Sequence, residues 1–157
     1  MTMRVRQWMN SPVISVKPRD SAAHARAVME QRRVNQLLVL EGPRLVGIVT
    51  DRDLRDAFPS LAQSTLTRGR RAAGIDPASI AVEEVMTPDV LTVEPDATLA
   101  DAARLLRRER IGAVPVVAAG KPVGILARSD LLDALVRFLS DHADAERAQG
   151  PTSDGLE

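Results

Sequence analysis

The chain repeats itself. Val5 to Leu54 aligns without a gap on Val82 to Leu131, seventy-seven positions later, and fourteen of the fifty pairs are identical. Met9/Met86, Val13/Val90, Val16/Val93, Pro18/Pro95, Val46/Val123, Gly47/Gly124, Ile48/Ile125, Asp53/Asp130 and Leu54/Leu131 are among them. Other pairs exchange one aliphatic for another, as Ile14/Leu91, Val28/Leu105, Val34/Ile111 and Val49/Leu126 do. Each repeat closes on a glycine, two aliphatics, three variable residues and Asp-Leu: GIVTDRDL at 47–54 and GILARSDL at 124–131. Two similar units that face each other enclose a cleft with two related sites. A unit of this size buries too little apolar surface to stand alone, so both are expected to pack as one module within the 157 residues.

Composition narrows the chemistry. Apolar residues make up 45% of the chain but aromatics only 2%, so the core must be aliphatic. Lysine and arginine number 21, as do aspartate and glutamate, which argues against a general polyanion-binding surface. The absence of cysteine excludes disulfides, thiolate chemistry and cysteine zinc sites. No apolar run approaches the roughly twenty residues that span a bilayer, and MTMRVRQWMNSP lacks the apolar stretch of a signal peptide. A soluble, cytoplasmic protein without a fused effector domain is expected.

The order in each repeat reads strand, helix, strand, strand, helix. Val13–Val16 and Val90–Val93 are short β-prone runs, each followed two residues later by a proline that ends the strand. Asp20-Ser21 and Thr98 suit helix N-caps, Thr98 with Asp101 as an acidic partner, for helices over Ala22–Arg33 and Leu99–Arg110. Leu99, Ala102, Ala103, Leu105 and Leu106 form one apolar stripe on the second of these. Gln36–Leu40 and Ala113–Val117 read as buried strands, paired through tight turns with Leu45–Val49 and Val123–Leu126 as hairpins. Helices then begin near Asp53 and Asp130, the latter running from Ser129 to about Asp141. This divides the chain into a first repeat (1–58, with the N-terminal segment), a connection (59–81), a second repeat (82–142) and a flexible tail (143–157).

The end of each repeat carries the chemistry. Thr50 and Asp53 lie one helical turn apart at a strand-to-helix junction, where unpaired backbone N–H groups favour anions. A hydroxyl that donates to phosphate, beside a carboxylate that accepts from a vicinal diol, suits a ribose phosphate. The same residues can equally cap the helix and favour its dipole. His24 and His142 lack a third partner for a metal, Trp8 is better suited to packing the N-terminal segment than to stacking on a base, and Met9 and Met86 suit core gaps. The basic run 68–71 reads as a solvated loop rather than a nucleic-acid site, and 107–110 as an exposed helix face, with a nucleotide phosphate within its reach as the alternative.

The doubled unit, with MNSPVISV at 9–16, MTPDVLTV at 86–93 and the two Asp-Leu endings, resembles a pair of cystathionine-β-synthase (CBS) domains over about Val5–Leu139. The run 51–60 (DRDLRDAFPS) is also similar to stand-alone bacterial proteins of the acetoin-utilisation type. The resemblance implies an α+β fold of two βαββα repeats packed sheet to sheet about a pseudo-twofold axis. It further implies an adenosine ligand (AMP, ADP, ATP, less often S-adenosylmethionine) in clefts between the repeats, and a homodimer. Asp53 and Asp130 would then hold ribose hydroxyls and Thr50 would touch phosphate, with Arg52, Arg55 and Arg128 near its charge. Adenine would lie against Val13, Ile14 and Ser15 in one site and Val90, Leu91 and Thr92 in the other. Asn35, Gln36, Leu37 and Leu38, or Gly112, Ala113, Val114 and Pro115, would close over it. One position departs from this equivalence: Ala127 stands where Thr50 stands, so the Asp53 site is expected to bind more tightly.

Three functions compete. The leading one is a regulatory module that senses an adenine nucleotide and signals by conformational or oligomeric change to a separate effector protein. The second is a ligand-free dimerisation or protein-interaction scaffold. An enzyme is disfavoured, because no His–acid pair, paired catalytic carboxylates or Walker-type loop is present. No catalytic residue, metal, required cofactor, membrane or nucleic acid is expected.

Overall fold

The computed structural model describes residues 2–57 and 77–148. In the first repeat β1 (Ser15–Val16), α1 (Ala22–Arg32), β2 (Gln36–Glu41), β3 (Arg44–Thr50) and α2 (Asp51–Ala57) follow in order. The second repeat contributes α3 (Val82–Val85), β4 (Thr87–Pro88), α4 (Leu99–Glu109), β5 (Ala113–Ala118), β6 (Lys121–Ala127) and α5 (Arg128–Ala148). Short 3₁₀ turns at Val5–Gln7 and Pro77–Ser79 precede each repeat's first strand. This is the mixed sheet-and-helix architecture expected, twice over.

Local chemistry sets the elements. Ser21 accepts from the His24 N–H at 3.0 Å and Thr98 from the Asp101 N–H at 3.0 Å, starting α1 and α4. The Asp101 carboxylate accepts from the Thr98 hydroxyl at 2.7 Å. That bond, with Arg104 beside it, holds the Asp101 carboxyl below the ordinary carboxylate range. Both helices end one residue short of the sequence-based boundary, at Arg32 and Glu109, because the next residue, Arg33 (φ 54°) or Arg110 (φ 56°), turns into the left-handed region. The hairpins β2–β3 and β5–β6 are antiparallel and carry the same irregularity, between Val39 and Leu40 and between Val116 and Val117.

Three expectations are corrected. The second lead-in forms no strand over Val90–Val93; it makes one parallel bridge, Val93 to Val116, because only its last residue reaches β5. The closing helices begin at Asp51 and Arg128 rather than at the aspartates, since those side chains sit at the third helical position and cap the turn before them. Finally, α5 continues through the stretch read as tail to Ala148, held by the Ser140 hydroxyl on the Val136 carbonyl (2.9 Å) and an exposed Arg147–Asp144 pair (3.4 Å). The basic run 68–71, the prolines and glycines of the connection at 59, 69 and 74, and the last nine residues lie outside the described residues.

The repeats exchange their leading segments. Val5, fully buried, packs with Leu99, Ala102, Leu106, Val114, Val116 and Leu126 of the second repeat, joined by Trp8 and Met9. Val82, fully buried, packs with Val16, Ala25, Met29, Leu37 and Val49 of the first, joined by Ile80 and Met86. Backbone bonds repeat the exchange at the same offset: Val5 N–H to Ala97 O (3.0 Å) and Val82 N–H to Asp20 O (2.8 Å), Arg6 to Pro95 (2.9 Å) and Glu83 to Pro18 (2.9 Å), Leu99 to Met3 (2.9 Å) and Ala22 to Ile80 (2.8 Å). The sheets are crossed too, β4 pairing with β3 at Gly47 and Ile48, and Asn10 with Ile125 of β6. A third cluster, Leu38, Ile48, Ala113 and Ala127 with Val13, Val90 and Ile125, joins the two sheets face to face.

The glycine that opens each closing motif makes the exchange possible. A Cβ on Gly47 would lie 2.5 Å from Met86 Sδ and 3.0 Å from Thr87 O; one on Gly124, 2.8 Å from Met9 Sδ and 2.9 Å from Asn10 O. A methionine can swing aside, but a carbonyl in a ladder cannot. Gly124→Ala is therefore expected to destabilise the fold by about 1–3 kcal/mol, seen as a lower midpoint in urea. Adding Met9→Ala should leave most of that loss in place.

Candidate functional site

The two closing aspartates are placed by the helices they begin. Thr50 is the N-cap of α2 and Asp53 its third residue, and they form a reciprocal box. Asp53 Oδ2 accepts from the Thr50 N–H and hydroxyl, each at 2.8 Å, while the Asp53 N–H donates to Thr50 Oγ at 3.2 Å. The Thr50 hydroxyl thus turns its proton to Asp53, where the sequence reading gave it to a phosphate. Asp53 Oδ1 has no partner among the described residues.

That free oxygen belongs to a residue lining a cleft of about 670 Å³ built by both repeats. The first repeat supplies Asn35, Gln36, Ile48, Thr50, Asp51, Arg52, Asp53 and Arg55. The second supplies Thr87, Asp89, Val90 and Leu91 from its lead-in, Glu109 to Ala113 from the end of α4, and Arg128. Its volume lies within the range of small-molecule sites, and its lining sets apolar walls beside a strongly charged end. Arg55 pairs with Asp51 at 2.9 Å, Arg52 with Asp56 at 3.8 Å, and Glu109 with Arg108 at 2.7 Å. Arg128 Nε donates to the Ile111 carbonyl at 3.0 Å. Arg110 and Arg128 have no carboxylate partner among the described residues.

Of the residues singled out from the sequence, Thr50, Asp53, Arg52, Arg55, Asn35, Gln36, Val90, Leu91, Gly112, Ala113 and Arg128 come together here. Others face elsewhere. Leu37 and Val114 are buried in the two helix-side cores, Leu38 and Val13 lie in the sheet-to-sheet cluster, Ile14 packs on the first core, Pro115 is fully buried, and Ser15 is an exposed strand residue. Thr92 lines a separate cavity of about 560 Å³ with Arg44, Val117 and Lys121, near the hairpin turns. Thr87 and Asp89 also line the cleft and were not singled out, while Glu109 and Arg110 come from the helix face given a phosphate as its alternative. Thr87 could have been inferred from Asn10, its equivalent in the repeat, had the exchange of lead-ins been foreseen.

Asp130 sits differently. Its Oδ2 accepts from the Ala127 N–H at 2.6 Å, half of the Thr50–Asp53 box, and its Oδ1 accepts from the Asn10 side-chain amide at 2.9 Å. At the seventy-seven-residue offset, Arg52 and Arg55 become Ser129 and Leu132, and Asp51 becomes Arg128. His24 lies in α1, and His142 packs on Phe138 with ring centroids 3.9 Å apart. Among the described residues no three His, Asp or Glu side chains gather to hold a metal ion, and no helix is long and apolar enough to cross a membrane.

Known proteins share this arrangement. The CBS domain model matches residues 5–60 and 82–137. The chain is 32% identical over 127 residues to the CBS domain-containing protein YhcV of Bacillus subtilis, covering 81% of each. It spans less than half the length of some other curated relatives it matches. Among solved structures it is similar to CBSX2 in complex with AMP (31% identity, TM-score 0.68, 87% of this chain and 98% of that one). It is similar to the CBS pair of MJ0100 with 5′-methylthioadenosine and S-adenosyl-L-methionine (25%, 0.70, 86% and 97%). A putative acetoin utilization protein (AcuB) of Vibrio cholerae is a third (25%, 0.70, 92% and 98%). With the family model matched twice on repeats that complete each other's cores, the chain belongs to the CBS-domain family as a tandem pair.

Proposed function

We propose that this CBS pair is a regulatory module that binds an adenine nucleotide in the Asp53 cleft and acts, without chemistry of its own, on a separate effector. The observation that carries this reading is Asp53 Oδ1, unpartnered among the described residues, on a residue fixed by Thr50 in a cleft that both repeats line. Asp53 accepts the ribose hydroxyls, Val90 and Leu91 offer an apolar wall to the base, and Arg52, Arg55, Arg110 and Arg128 supply charge at the phosphate end. The AMP complex of CBSX2 and the S-adenosylmethionine complex of MJ0100 support an adenosine ligand. A ligand that touches both repeats favours one arrangement of the two and thereby signals.

Thermal shift with AMP, ADP, ATP and S-adenosylmethionine tests this directly. At a hundredfold excess over Kd, a ligand specific to the folded state adds about 2.7 kcal/mol. No shift from any of the four at millimolar concentration overturns the reading. Asp53→Ala should weaken binding by about one to two decades, the worth of a hydrogen bond to a charged group. Asp130→Ala should leave the affinity nearly unchanged, and equal losses from the two would contradict the asymmetry.

Arg110 gives a test in which stability and binding part. A left-handed conformation costs a side-chain-bearing residue about 1–2 kcal/mol relative to the right-handed one, a cost glycine escapes. Arg110→Gly should therefore raise the melting temperature while lowering nucleotide affinity; a variant both more stable and equally tight would remove Arg110 from the site.

A second reading rests on α5. Leu132, Leu135, Val136, Phe138 and Leu139 are 43–63% exposed along one helix. Such a face is expected to be covered in an assembly, and we propose that a second chain covers it to make a homodimer. Light scattering should give a dimer for the wild type and a monomer for Leu135→Glu/Leu139→Glu. If that variant keeps its ligand affinity, the nucleotide site does not require the assembly.

A further inference from the structure

We infer that Asn10 is a built-in occupant of the second ribose position, which closes the Asp130 site and leaves the module with one nucleotide site per chain. This rests on the nucleotide reading above and goes beyond the loss of a hydroxyl at Ala127. The comparison of the two carboxylates carries it. Asp53 spends one oxygen on both Thr50 donors and keeps the other available. Asp130 spends one oxygen on the Ala127 N–H at 2.6 Å and the other on Asn10 Nδ2 at 2.9 Å. A carboxamide N–H donating to a charged carboxylate makes the same kind of bond that a ribose hydroxyl would make. Asn10 therefore stands where the diol would stand.

The backbone holds the plug in place. The Asn10 N–H donates to Ile125 O at 2.8 Å and the Asn10 carbonyl accepts from the Ile125 N–H at 3.0 Å, so residue 10 is bonded in both directions to β6, the strand that leads into Asp130. Gly124 lets it approach: any Cβ there would meet Asn10 O at 2.9 Å. A nucleoside can displace only the side chain, by rotation. The equivalent residue in the other repeat is Thr87, which lines the Asp53 cleft and makes no bond to Asp53. Ser129 and Leu132 replace Arg52 and Arg55 and remove two cations from the phosphate end, while Arg128, which replaces Asp51, lines the Asp53 cleft instead. An unplugged Asp130 site is therefore suited to a nucleoside without phosphates.

Isothermal titration of the full chain with AMP and with adenosine separates the outcomes. The wild type should take one AMP per chain, lost in Asp53→Ala. Asn10→Thr, which installs the residue the equivalent position already carries, and Asn10→Ala should each reveal a second site for adenosine. That site should be at least about tenfold tighter than any second site of the wild type, and it should vanish when Asp130→Ala is added. Two equivalent sites in the wild type, or one site in both Asn10 variants with unchanged melting temperature, overturn the role of Asn10 while leaving the Asp53 site standing. No binding of either probe to any of the proteins overturns the nucleotide reading and this inference with it.

Discussion

The structure depends on an exchange: each repeat lends its leading segment to the other repeat's core. Val5 and Val82 are fully buried in cores assembled from the opposite repeat, and the backbone bonds that fix them match at the seventy-seven-residue offset. Neither half can be removed without opening the other. This resolves the difficulty of a unit too small to bury its own apolar surface. It also explains why the core can do with almost no aromatics. Short aliphatic segments from two sources interleave around each helix, so bulk is supplied by number rather than by ring size.

The same exchange builds the cleft. Because β4 pairs with β3 beside Gly47, the lead-in of the second repeat emerges next to the Thr50–Asp53 corner of the first. The apolar wall at Val90 and Leu91 and the polar corner at Asp53 thus come from different repeats. A ligand lying across them bridges the molecule's two halves, and that is the geometric basis for coupling occupancy to shape.

Much of this was readable from the residues. Caps placed α1 and α4 within one residue, with an apolar stripe on α4; apolar runs and turns gave the two hairpins, and the family resemblance the sheet-to-sheet packing. Along the chain, α5 past Asp141 lost its apolar period. It persists as helix on local bonds such as Ser140 to Val136, which periodicity does not register. The site was half readable. Asp53 and Thr50 announced themselves through their spacing, but alignment of repeats says nothing about which repeat a segment packs on. Leu37, Leu38, Val114 and Pro115 therefore entered the candidate site although they lie in the cores and the sheet interface, and Thr87 stayed out of it.

Thr50 and Asp53 were open to two readings, a helix cap or a ligand site, and the geometry makes these compatible rather than exclusive. The cap uses one carboxylate oxygen and the backbone N–H of Asp53; it leaves the other oxygen untouched. A ribose can bind there without unmaking the start of α2, so occupancy costs no helix stability. In the second repeat the cap lost its hydroxyl at Ala127, and both oxygens of Asp130 are engaged within the chain. The bond from Asn10 adds a tie between the N-terminal segment and α5 that the first repeat lacks. The two repeats thus differ at Asn10, Ala127, Ser129 and Leu132 so that one carboxylate ties the chain to itself, and the cap at the other leaves one oxygen for the proposed ligand.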